Sequence, residues 1–124
     1  MNPARLCWSA AALIAVVGMI WGIGMSASGN HTDAPAHAHL NLIGWVSLAL
    51  YGTYYALSPA GTTRLALMQS IIAIIGTLAF AAGIAWVLHG GPHGPVAVAS
   101  FIVLLGAVLF AYIVFTKPLR RSAA

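Results

Sequence analysis

The 124 residues give room for one domain, and with 61% hydrophobic residues, 5% charged residues and a mean hydropathy of +0.96 they cannot supply the surface of a soluble one. Intrinsic disorder is excluded by the dominance of apolar residues. The net charge of +4 does not mark a nucleic-acid partner, because the basic residues stand at the ends of apolar runs.

The composition therefore predicts an all-α integral membrane protein, a four-helix bundle with residues 1–124 as a single membrane domain. Each span needs roughly 20 helical residues to cross the hydrocarbon. The first runs from Trp8 to Met25, behind Arg5. It holds Gly18 and Gly22 in a GxxxG pair suited to close helix contact in lipid. Its small-residue end, Met25-Ser26-Ala27-Ser28, also allows the reading of a cleaved secretory signal, against which Trp8, Trp21 and the two glycines suggest a packed helix. Cys7 is the lone cysteine and reads as a small apolar filler.

Ser26-Ala27-Ser28-Gly29-Asn30 closes the first span. The second runs from His37 to Leu57, its helix expected to begin near Pro35, since proline suits a first helical turn. Ser58-Pro59-Ala60-Gly61 ends it. The third covers Leu65 to Leu88, with Ala79 and Gly83 as another small pair. It gives way at Gly90-Gly91-Pro92-His93-Gly94-Pro95 to the fourth, Val96 to Thr116, which stops at Lys117-Pro118. The last three connections are short, so consecutive helices are expected to pack antiparallel.

Arg5, Arg64, Lys117, Arg120 and Arg121 all fall on one side of such a bundle. The positive-inside rule then places both ends in the cytoplasm of a multi-pass inner-membrane protein. Asp33, the only acid, and all five histidines fall at the outer face. With one carboxylate in the chain, paired-acid hydrolysis has nothing to work with. Ser9, Ser47, Ser70 and Ser100 lack a nucleophile context and read as helix-packing hydroxyls.

The histidines carry the chemical signal. Ionisable groups in or beside a span are costly and point to function, and neutral imidazole ligates haem iron, copper and zinc. His31, His89 and His93 also suit a plain interfacial role at the helix mouths. His37 and His39 stand two residues apart, about 200° on a helix, and leave on opposite faces. With His37 lie Asn41, Gly44, Leu48, Tyr51, Gly52 and Tyr55, a small and polar stripe suited to a bundle interior, with Asn41 placed to hydrogen-bond near His37. With His39 lie Leu42, Ile43, Val46, Leu50 and Thr53, an apolar wall suited to a flat ligand, a neighbouring subunit or lipid. Trp45 and Trp86, placed near the mouth, suit interface anchoring or packing on a porphyrin.

The segment His37-Ala38-His39-Leu40-Asn41-Leu42-Ile43-Gly44-Trp45-Val46 resembles a histidine-bearing helix of subunit I of the haem-copper oxidase and nitric oxide reductase superfamily. It also resembles small four-helix membrane proteins labelled oxidase-subunit-I-like. The resemblance covers about 20 residues of the second span and, loosely, the four-helix layout. It implies haem b as cofactor, with His37 at the position that carries the active-centre haem and His39 at the one that carries the low-spin haem. It further implies a homotrimer with haem between protomers, since the large subunit has three groups of four helices; fold analogy alone is its warrant. The third span, Met68-Gln69-Ser70-Ile71-Ile72, lacks the histidine pair of the oxidase metal centre, so the resemblance implies electron transfer or ligand sensing, with a redox partner, and no oxygen or nitric oxide reduction.

Two other readings stand beside this one. A copper or zinc protein would draw its ligands from His31, Asp33, His37, His39, His89 and His93 at the outer face. A structural or assembly subunit of a membrane complex would use its histidines only at the interface.

Overall fold

A computed structural model describes residues 2–119. Arg120 and Arg121, two of the five charges behind the expected orientation, lie outside the described residues. The described residues form helices and turns, with no strand among them.

Helix α1 covers Pro3–Ser28. Asn2 caps it, its side-chain oxygen accepting from the Ala4 and Arg5 amides, and Pro3 fills the first turn, where a missing N–H costs nothing. Gly29 ends it with φ +68, the left-handed conformation that glycine adopts without penalty. The second rod is segmented: α2 (Ala34–His39), a π-helical stretch (Leu40–Val46) and α3 (Ser47–Leu57) run on without a break. A 3₁₀ turn at Pro59–Thr62 leads to α4 (Arg64–Leu88), capped by the Thr63 hydroxyl, which accepts from the Ala66 amide. α5 covers Gly94–Thr116. α1, α4 and α5 are each long and apolar enough to cross a membrane, the architecture of a helical membrane protein.

The regular second helix expected from the sequence is corrected here to one with a π segment, and packing explains the change. Ala36, Leu40, Gly44 and Leu48 are all buried, four residues apart. Four residues overshoot one α-helical turn, so such a stripe would wind away from the core; a π turn holds more residues and brings it back. Gly44 makes the close approach possible. A Cβ there would meet Ile14 of α1 at 2.8 Å and Thr77 of α4 at 3.0 Å. Hydroxyls reach the carbonyls of this stretch: Ser47 Oγ donates to Leu42 O at 2.9 Å and Thr77 Oγ1 to Ile43 O at 3.4 Å.

α1 packs along the second rod, α4 packs on its other flank, and α5 packs chiefly on α4. The interior is small-residue and sparsely polar. Tyr55 donates its hydroxyl to Gln69 Oε1 at 2.7 Å, and Gln69 Nε2 donates to the Gly106 carbonyl at 3.1 Å, all three groups buried between α3, α4 and α5. Cys7, fully buried, donates to Ser70 Oγ at 3.2 Å, in keeping with a filler role.

The two ends of the bundle differ. At one, Tyr54 Oη and Ser58 Oγ donate to the Lys117 carbonyl at 2.7 and 2.8 Å, and Asn2 shares a cleft with Tyr55 and Ser58. That end gathers the start of α1, the α3–α4 turn and the end of α5, and with them Arg5, Arg64 and Lys117. The other end gathers the α1–α2 and α4–α5 loops, tied by Asp33 and His89, and carries all five histidines.

Candidate functional site

The histidine end is built around the first turns of α2. Pro35 starts the helix, and both His37 and His39 fall within its opening turns, half-buried. Their surroundings differ completely. His37 turns towards α1: its ring meets Trp21 edge-on at 6.1 Å, and a Cβ on Gly22 would stand 3.2 Å from its Cε1 and 3.7 Å from its Nε2. Asn41, one turn on, donates its amide to the His37 carbonyl at 2.9 Å and leaves the ring Nδ1 at a marginal 3.5 Å. Its carboxamide covers Gly18 so closely that a Cβ there would run into it. The GxxxG pair is thus the seat of Asn41 and His37, in an open cleft of about 460 Å³ shared with Met19, Ile23 and Ser26.

His39 turns towards α4, where its ring meets Phe80 edge-on at 5.4 Å. Its Nδ1 lies 2.7 Å from the Pro35 carbonyl. A carbonyl only accepts, so Nδ1 carries the proton and the lone pair of the neutral ring rests on Nε2. An imidazole held by an Nδ1–H to carbonyl bond, with Nε2 left free, is how metal-ligating histidines are oriented and made more basic. Below it the apolar wall is open, with Leu42 61%, Val46 41% and Leu50 62% exposed.

The remaining histidines are peripheral. His89 Nε2 donates to Asp33 Oδ1 at 3.0 Å across the two loops. His31 Nδ1 donates to the Gly29 carbonyl at 3.2 Å, and His93 stands exposed at the start of α5. Of the set read as a copper or zinc site, only Asp33 and His89 come together; among the described residues no three of His, Cys, Asp or Glu form a metal-holding group. Trp86 sits at the mouth beside His89 and Gly91. Trp45 does not: it packs edge-on against Trp8 at 6.4 Å, near the opposite end of α1, because eight residues of helix separate it from His37. Trp21 and Phe80, the aromatic neighbours of the two histidines, carry no signal in the sequence that would single them out.

Tested against a haem, the site fits in part. A half-buried imidazole whose Nε2 has no hydrogen-bond partner among the described residues and an open apolar wall suit a porphyrin. The second axial position is not met within one chain, because His37 and His39 rest on α1 and α4, on opposite flanks of the same rod.

Comparison with protein-family models, with curated proteins and with solved structures returns no match. None of these comparisons links the chain to oxidase subunit I.

Proposed function

We propose that the chain is a b-type haem-binding protein of the cytoplasmic membrane, serving electron transfer or ligand sensing, with His39 as its principal haem ligand. The observation that supports this most is the 2.7 Å bond from His39 Nδ1 to the Pro35 carbonyl, which prepares Nε2 as the ligating nitrogen. His39, Phe80 and the wall of Leu42, Val46 and Leu50 would hold the group. Bound there, haem would supply a one-electron redox couple, or a ligand-sensing centre where His39 alone holds it, tuned by ligand identity and burial.

His37 has its place in the same reading. Facing the other flank, it is placed to serve a haem on a neighbouring copy, so a head-to-tail ring would give each haem a His39 from one protomer and a His37 from the next. The trimer implied by the resemblance is one such ring. The orientation in this reading has the histidines outside; the positions of Arg5, Arg64 and Lys117 at the end that gathers the start of α1 and the end of α5 support it, since basic residues favour the cytoplasmic side.

Titration of the detergent-purified protein with haem, followed at the Soret band, tests the assignment. Saturable binding that weakens at least tenfold in His39→Ala supports it; binding unchanged by that substitution overturns it.

A further inference from the structure

Asp33 is the chain's only carboxylate, and it stands at the residue before α2. Its backbone behaves as a helix cap should, the carbonyl accepting from the His37 amide at 2.9 Å. Its side chain does not, since it makes no capping bond. An aspartate at that position ordinarily turns its carboxylate onto the amides of the first turn, a contact worth about 1 kcal/mol. Here the carboxylate is directed across the mouth instead, accepting from His89 Nε2 at 3.0 Å, 56 residues away. His89 is the residue that ends α4, its own amide directed to the carbonyls of Ala85 and Trp86.

One side-chain contact thus ties the first turn of the helix that carries Pro35 and His39 to the last turn of the helix that carries Phe80. We propose that Asp33 and His89 form a latch across the mouth that holds α2 against α4 and so positions the His39 imidazole between the Pro35 carbonyl and the Phe80 ring. The pair are positioning residues and do not ligate. The proposal rests on His39 being the haem ligand, and it assigns His89 a use for its Nε2 other than metal binding. Because the His89 side chain is 60% exposed, the pair adds little to overall stability. Its loss is felt locally, at the start of α2, where no other side-chain hydrogen bond joins the two loops among the described residues.

The test combines two readouts on the full-length protein in detergent. Amide hydrogen exchange at residues 37–40 speeds up at least threefold in Asp33→Ala and in His89→Ala, and the double variant is no faster than either, while His89→Gln, whose amide still donates to the carboxylate, stays near the parent. Haem affinity falls several-fold in the two alanine variants and recovers in His89→Gln. Exchange unchanged in either alanine variant, or additive in the double, overturns the latch. Looser exchange with unaltered haem affinity overturns its positioning role. If the parent protein binds no haem, the reading of function fails, and the exchange data alone decide whether the latch exists.

Discussion

Gly22 packs closely against the His37 imidazole: a Cβ there would stand 3.2 Å from Cε1, so that even a methyl group would make the ring give way by a few tenths of an ångström. The glycine pair of α1 is therefore matched to two particular residues of α2, Asn41 over Gly18 and His37 over Gly22. Gly22→Leu would push α2 off α1 and cost about 1 to 3 kcal/mol, the range for overpacked contacts. Gly18→Ala would force the Asn41 carboxamide off the His37 carbonyl. The double variant Gly18→Ala/Asn41→Ala is expected to melt close to Asn41→Ala alone in detergent, a non-additivity that marks direct contact. Additive losses would show that Asn41 does not rest on Gly18.

The buried chain from Tyr55 through Gln69 to the Gly106 carbonyl gives a second prediction. Tyr55→Phe leaves the Gln69 oxygen without its donor in a place water does not reach. The expected cost is about 0.5 to 2 kcal/mol, given that interhelical hydrogen bonds in membranes are individually modest. Gln69→Leu removes both bonds, after which Tyr55→Phe should cost clearly less. Thermal melts of the four proteins of that cycle measure the coupling.

The proposed orientation is checked by single-cysteine labelling. Cys7 is fully buried and supplies no background. Asn30→Cys, in the α1–α2 loop, is expected to react with a membrane-impermeant maleimide from outside the cell, and Thr62→Cys, in the α3–α4 turn, only after permeabilisation. The reverse pattern would turn the protein over and put the histidines inside.

Much of this arrangement can be read from residue order. Gly29 and Gly90 take positive φ within the expected loops, although α1 runs three residues past its expected end at Met25, and Pro35 opens the histidine helix as its ring geometry requires. The 200° between His37 and His39 is enough to send them to different neighbours. What those neighbours are is another matter. Nothing local in the sequence announces that Trp21 and Phe80 are the ones, because side chains 16 and 41 residues from their histidines are brought there by packing. The π segment is equally silent: it depends on Gly44 meeting Ile14 and Thr77, which belong to two other helices. The Asp33–His89 contact spans 56 residues and needs both loops folded before it exists. GxxxG announced close packing, and only the structure names the imidazole and carboxamide that use it.

The most direct test of the central claim is an absorption spectrum of the detergent-purified protein, oxidised and then reduced with dithionite, with a pyridine haemochrome assay for stoichiometry. Haem ligation by His39 predicts a Soret band and sharp reduced α and β bands at near-stoichiometric haem b, lost in His39→Ala. A colourless protein from cells amply supplied with haem would contradict it.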